Sequence, residues 1–277
     1  MIRLKITYIH HSSFSVELEN VVLLFDYFKG TLPEFPAEKP LFIFTSHFHA
    51  DHYDPVIFQL GEKRENVFYI LSKEIGKKIP EEYRKRYKDK IRLVKAGEKF
   101  CLNILRDGMV QESPYADKSE DFGADEAVLA EDTASEKKNT SEESLIIETF
   151  HSTDEGVAFW ISCEGKEIYH AGDLNNWWWE GEDMAWNRNM AASYKQEMKK
   201  LAGRTADLAF IPVDPRLEQW FYLGAAGFME QADAKWIFPM HFWEDYTIIS
   251  KLIEHPSSEG WRERIVEIHR EGEEFIR

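Results

Sequence analysis

Cysteine is nearly absent from this chain: Cys101 and Cys163 are the only two in 277 residues. That excludes the disulfide framework of small secreted domains, and both read as reduced core thiols. Long apolar runs are missing too; none approaches the ~18 residues that suggest a membrane span. The opening Met1-Ile-Arg-Leu-Lys-Ile-Thr-Tyr-Ile-His10 enters a strand-like alternation at once. It lacks the basic flank, apolar centre and small-residue cleavage site of a secretory signal, so a cytoplasmic chain is expected. Basic charge is short as well: 34 Lys and Arg against 50 Asp and Glu give a formal net charge of −16. A polyanion meets a repulsive field, which disfavours nucleic acid as a partner and favours a small-molecule substrate. The main basic stretch, 77–92, is interleaved with Glu81, Glu82 and Asp89 and reads as a solvated helical face.

What is present is enough apolar residue, 43%, to bury a large core, and we expect one domain over 1–277. Short β-branched and aromatic runs predict strands at 4–9, 14–18, 21–26, 67–71, 91–94, 99–105, 145–150, 157–162, 166–170, 207–213, 236–239, 264–268 and 273–276. The uninterrupted Leu41-Phe-Ile-Phe-Thr45 predicts a strand covered on both faces. Helical spacing occupies 80–88, 189–202, 222–233 and 246–255, and Asp54-Pro55 marks a further helix start. Strands outnumber helices and helices recur between strand groups, which points to layered α/β with mixed sheets. The segment at about 111–143 is rich in Asp, Glu, Ser, Ala and Lys and reads as an acidic hairpin insertion. Either it is a tolerated surface loop or it is a lid or docking loop.

The densest chemistry is Ser46-His-Phe-His-Ala-Asp-His52. His47, His49, Asp51 and His52 put three imidazoles and a carboxylate in the loop between a buried strand and a helix. Nitrogen and carboxylate donors suit zinc, and also manganese or iron. Three further ligand-type residues follow apolar runs: His151, Asp173 and His241. Each alone is a weak signal; their recurrence at strand ends is the stronger one. Gly172 permits a tight turn before Asp173.

Taken together, Ser46–His52, His151, Gly172-Asp173 and Pro239-Met-His241 resemble the metallo-β-lactamase superfamily. Ile9-His-His-Ser-Ser-Phe14 and the Pro-Met-His triplet look like the branch that contains L-ascorbate 6-phosphate lactonase and N-acylphosphatidylethanolamine phospholipase D. The resemblance implies a four-layer αβ/βα sandwich, two mixed sheets face to face with helices outside. It also implies two divalent metal ions: His47, His49 and His151 on the first, Asp51, His52 and His241 on the second, Asp173 bridging. Zinc is the expected metal, with Mn2+ or Fe2+ as alternatives. A metal-bridging hydroxide would then attack an ester, lactone or phosphoester, with Asp51 and Asp173 in catalytic positions. A phosphodiesterase or nuclease of the same fold and a non-catalytic metal-binding scaffold are the competing readings. The insertion departs from the lactonase-like pattern.

Four more residues are candidates for the substrate side. His11 either contacts substrate or a ligand, or serves a structural strand end. Asn175 and Trp177 open the run Asn175-Asn-Trp-Trp-Trp179 just after Asp173, where at least one ring is expected to wall a pocket. Arg216, in Asp214-Pro-Arg216, is the best candidate for an anionic group, with a surface turn as the other role. His170 is expected to be structural.

Overall fold

The computed structural model describes residues 4–105, 110–113 and 143–277. The first half of the chain builds one sheet from β1 (Lys5–His10), β2 (Ser13–Glu17), β3 (Val22–Phe25), β4 (Leu41–Thr45), β5 (Val67–Ser72) and β6 (Ile91–Val94). Helix α1 (Ile57–Lys63) follows β4, and α2 (Glu81–Arg86) precedes β6. The second half builds the other sheet from β7 (Lys99–Ile104), β8 (Val110–Ser113), β9 (Glu143–His151), β10 (Val157–Cys163), β11 (Lys166–His170), β12 (Thr205–Pro212) and β13 (Asp233–Met240). Helices α3 (Met184–Lys199), α4 (Leu223–Gln231) and α5 (Thr247–Glu254) belong to this half, and β14 (Glu274–Ile276) returns to pair with β1.

Each sheet has seven strands, in the orders β14-β1-β2-β3-β4-β5-β6 and β13-β12-β11-β10-β9-β7-β8. Both are mixed: β3 to β6 pair in parallel, as do β11, β12 and β13, and the other pairs are antiparallel. The strand period of two explains the layers. Leu23, Phe25, Phe42 and Phe44 face the other sheet, while Val22, Leu24, Leu41 and Ile43 turn outward to meet Ile57 and Phe58 of α1. Both faces are therefore apolar, which is why β4 reads as an unbroken hydrophobic run. Between the sheets, Phe44 packs edge-on to Phe159 with centroids 5.2 Å apart, and Phe14 meets Phe210 at 4.7 Å. Burying each such ring contributes roughly 1.5–3 kcal/mol. On the far face of the second sheet, Tyr169 stacks under Phe228 of α4 at 4.9 Å.

Expectation and structure part at a few boundaries. The expected strand at 264–268 is a short 3-10 turn, Arg262–Arg264, followed by a single bridge from Ile265 to Ile237. Ile265, Val266 and Ile268 are buried, so their apolar pattern serves packing rather than sheet pairing. Helix α3 starts earlier than its spacing suggests, because Asp183 caps it by accepting from Ala185 N at 2.7 Å. Asp54 holds Val56 N at 2.7 Å, and a 3-10-like turn intervenes before α1. The acidic insertion, apart from its ends, lies outside the described residues. Among the described residues no helix is long and apolar enough to cross a membrane.

Candidate metal centre

The loops after β4, β11, β12 and β13, together with the β1–β2 turn, meet at one edge of the sandwich. Two close approaches to Ser46 force them together. At Gly172, φ is +52° and an added Cβ would lie 2.6 Å from Ser46 Cβ. Only glycine fits there, and the next residue, Asp173, is delivered to the β4 loop. At Gly156, φ is +73° and a Cβ would lie 1.9 Å from the Ser46 carbonyl oxygen. His11 and His241 also adopt left-handed backbone, at φ 53° and 62°. For non-glycine residues this costs of order 1–3 kcal/mol, and such strain concentrates where side chains are aimed for function.

Asp173 lies at the centre and is almost fully buried. Its Oδ1 is 3.2 Å from His52 Nε2 and 3.4 Å from His241 Nε2, while its Oδ2 is 3.4 Å from His47 Nε2. One carboxylate thus presents an oxygen to each of two groups. In the first, ligand-type atoms of His47, His49, Asp154 and Asp173 lie within 4.8 Å of one another. In the second, those of His11, Asp51, His52 and His241 do. Asp51 Oδ2 is 3.5 Å from His11 Nε2 and 3.9 Å from His241 Nε2.

Three of these imidazoles are oriented through Nδ1. Asp26 accepts from His52 Nδ1 at 2.8 Å, and Asp214 from His241 Nδ1 at 3.0 Å. Ser46 Oγ pairs with His47 Nδ1 at 2.9 Å and itself donates to Asp26 at 2.7 Å. Each Nε2 is left pointing at Asp173. The carboxylate–imidazole arrangement fixes the tautomer and sharpens the ring as a donor to a cation. Asp26 and Asp214 are fully buried. Sequence reasoning missed Asp26, although it directly follows the apolar run Val22–Phe25, the same strand-end position as the other candidates.

The electrostatics match this arrangement. Burial opposes charge on His52, yet Asp173 and Asp26 outweigh it and hold its pKa well above the ordinary imidazole range. Burial likewise opposes charge on His241, but Asp173 and Asp214 bring it up to about 9. His47 is driven the other way, to about 3, by burial and then by the neighbouring His52. His11 falls to about 4, chiefly through burial. Burial works against the Asp173 carboxylate, and His52 and His241 more than offset it, keeping it well below the usual carboxylate range.

The donor set fits divalent cations by a direct test. His11 Nδ1 and Nε2, His47 Nε2, His52 Nε2 and Asp173 Oδ1 are buried without a hydrogen-bond partner. Unpaired buried polar atoms are costly, roughly 1–3 kcal/mol each, and are rare unless something else completes them. Here they converge, with nitrogen and carboxylate donors of the type that zinc, manganese and iron take.

The structure brings His47, His49, Asp51, His52, Asp173 and His241 together, and His11 with them. It does not bring His151. That residue is exposed, its Nδ1 is hydrogen-bonded to the carbonyl of Ser152, and it lines an adjoining groove with Asn189, Ser193 and Glu197 of α3. The reason is local: β9 stays paired to β10 through His151, and the chain turns towards the centre only in the following loop. Asn175, a candidate for substrate contact or for support behind the ligands, does not reach the cavity. It is fully buried, its side-chain oxygen packed where Gly224 leaves space for it.

Over the centre lies a cavity of about 400 Å³ lined by His49, Asp51, Asp154, Asp173, His241 and a wall of Trp177, Trp179, Trp186, Met190 and Arg216. Trp177 donates its indole N–H to the Asp173 carbonyl at 2.9 Å and stacks on Trp179 at 6.0 Å. Trp178 turns away to Trp220. Arg216 reaches the cavity rim, its guanidinium bonded to Asp214 and lying over the Trp243 ring at 4.7 Å. His170 has the structural part expected of it, stacked on Phe25 at 4.8 Å with Nε2 3.0 Å from the Ser12 carbonyl oxygen.

Residues 5–241 match the family model described as the beta-lactamase superfamily domain. No curated protein shows a significant sequence match. Among solved structures the chain is similar to a Parabacteroides distasonis protein assigned as a metal-dependent hydrolase, at 19% identity and TM-score 0.55, covering 97% of this chain and 94% of that one. Igni18, a metallo hydrolase from the archaeon Ignicoccus hospitalis, is similar at 16% identity and TM-score 0.56, covering 99% and 98%. CmlA, a diiron β-hydroxylase from Streptomyces venezuelae, is similar at 11% identity and TM-score 0.52, covering 99% of this chain and 53% of that one. These likenesses show a shared fold, and with the family model spanning the strand-end loops that build the centre, the chain belongs to the beta-lactamase superfamily.

Proposed function

We propose that this protein is a hydrolase using two divalent cations to cleave an ester, lactone or phosphoester bond in a small molecule. The observation that carries the reading is Asp173, whose two oxygens face two separate groups of ligand-type side chains, with unpartnered imidazole nitrogens in each. His47 and His49 would hold one cation, and Asp51, His52, His241 and His11 the other, with Asp173 shared. Bound there, such cations polarise a scissile carbonyl or phosphoryl group and lower the pKa of water towards neutrality.

The chain's own residues supply the rest. Asp26, Ser46 and Asp214 keep three imidazoles in the tautomer that offers Nε2. Asp51, with a side chain 26% exposed at the cavity floor, can take a hydrogen bond from the attacking water and orient it. Trp177 and Trp179 give the substrate an apolar wall and exclude bulk water from one side. Arg216 lies at the rim, where its guanidinium can meet a phosphate or carboxylate on the substrate, though Asp214 already shares its charge. Zinc is the leading cation, with manganese and iron as alternatives.

The test is hydrolysis of bis-p-nitrophenyl phosphate, phosphomonoesters and a lactone panel by protein stripped with a chelator and then reloaded. The reading expects activity on at least one class, its loss on stripping and its return with zinc or manganese. Full activity in the stripped protein, or in Asp173→Ala, would refute it.

A further inference from the structure

We propose that Asp154, rather than His151, completes the first cation site. The assignment rests on the two-cation reading above. It makes that site two imidazoles and two carboxylates: His47, His49, Asp154 and Asp173. A ligand atom of Asp154 lies within 4.8 Å of those of the other three, and its Oδ2 is 3.8 Å from His49 Nδ1. One of its neighbours there, His47 Nε2, is fully buried, unpartnered and aimed at the Asp173 Oδ2 that Asp154 approaches. It points to a ligand independently of the Asp154 carboxylate.

The backbone explains why residue 154 arrives and residue 151 does not. His151 is still paired with Val157 in the β9–β10 ladder, and its Nδ1 is taken by the Ser152 carbonyl. The loop beyond is then pinned on three sides. Ser152 Oγ accepts from Asp154 N at 3.1 Å, and Thr153 Oγ1 donates to the Asn175 carbonyl at 2.6 Å while accepting from Asn175 N at 3.0 Å. Gly156 presses against Ser46, whose carbonyl accepts from Val157 N at 3.0 Å. Thr153 is thereby tied to the strand end that carries Asp173, and Gly156 to the one that carries His47. Asp154 lies between the two ties and faces both.

The exchange has a chemical consequence. A third imidazole would leave the site softer and less negative; a second carboxylate makes it harder and adds a negative charge. Oxygen-rich sites shift preference towards Mn2+ and Fe2+ relative to an all-imidazole triad. Asp154 lines both the cavity over the centre and the groove beside it, whereas His151 lines the groove alone.

The test is metal content per chain by mass spectrometry after zinc loading and exhaustive dialysis, for the wild type, His151→Ala, Asp154→Ala and Asp154→Asn. The expected result is two equivalents in the wild type and His151→Ala, and one in both Asp154 variants. Competition with a chromophoric chelator should show one of the two sites weakened by more than about 100-fold, beyond the loss typical of a residue that only supports a ligand. The Asp154 side chain is 47% exposed, so its removal spares the core, and near-UV circular dichroism checks the fold. On zinc loading of the wild type, the 15N resonances of His151 should stay where they are in the cation-free protein, a readout independent of any variant. Two equivalents retained by the Asp154 variants, or loss of one in His151→Ala, would overturn the assignment while leaving the two-cation reading intact. Fewer than two in the wild type would overturn both.

Discussion

Replacing Asp26 with asparagine should weaken cation binding without any change in a residue that touches the cation. In the wild type one carboxylate accepts three hydrogen bonds: from Ser46 N at 2.7 Å, Ser46 Oγ at 2.7 Å and His52 Nδ1 at 2.8 Å. Asparagine keeps the shape but offers one acceptor and one donor group. If its oxygen keeps Ser46 N, its NH2 faces His52, which must then present Nδ1 as the acceptor and carry its proton on Nε2. That is the nitrogen aimed at Asp173. Undoing this misplacement on binding should lower affinity at one site by about 10–100-fold, the range for loss of a carboxylate behind a metal-bound histidine. The same change corresponds to roughly 1.4–2.7 kcal/mol. Asp26→Ala is harsher, since it strands three buried donors at about 1–3 kcal/mol each, softened only where the Ser46 hydroxyl can turn to His47. The assays are chelator competition for affinity and urea unfolding of the cation-free protein for stability. An Asp26→Asn protein binding both cations within twofold of the wild type would refute the reasoning. So would a loss explained wholly by global unfolding.

Other consequences are as direct. Gly172→Ala should cost about 2–5 kcal/mol in urea unfolding, because it adds left-handed strain to a 2.6 Å clash with Ser46 Cβ; a wild-type midpoint would contradict the close approach. Trp179→Ala should raise KM several-fold with kcat little changed, since the ring walls the cavity beside Trp177 and is not among the clustered ligand-type residues. A fall in kcat alone would place it elsewhere. Burial pushes the Cys163 thiol pKa up, with the nearby Glu164 adding to it, so the thiolate is disfavoured until the chain opens. Native protein should therefore leave Cys163 unmodified by a thiol reagent at pH 8 and expose it only in denaturant. Its rapid modification in the folded state would contradict that burial.

Much of this was readable from the sequence because both sheets are covered and their strands announce themselves. Leu41–Thr45 could hardly be anything but a buried strand, and His47 to His52 had then to sit in the loop at its end. Asp173 and His241 follow from the same logic, a ligand-type residue where an apolar run stops, and both lie in the cluster. At His151 that logic and the placement part, since it reads the end of a run and not the course of the backbone. Here the ladder continues one residue further than the apolar residues do, and the turn that faces the centre carries Asp154 instead. Asp26 met the criterion but has no histidine beside it in sequence, so nothing singled it out before His52 was seen against it. Asn175 lies away from the cavity for another reason: the glycine that makes room for its side chain, Gly224, is 49 residues away, and no local pattern encodes that contact.

The central claim is that two cations share Asp173. Anomalous scattering recorded at the absorption edge of the loaded metal, from crystals of the reconstituted protein, tests it most directly. Two peaks should flank the Asp173 carboxylate, one beside His47 and His49, the other beside His52 and His241. A single peak, or none at Asp173, in crystals of protein carrying its full complement of metal would contradict the account.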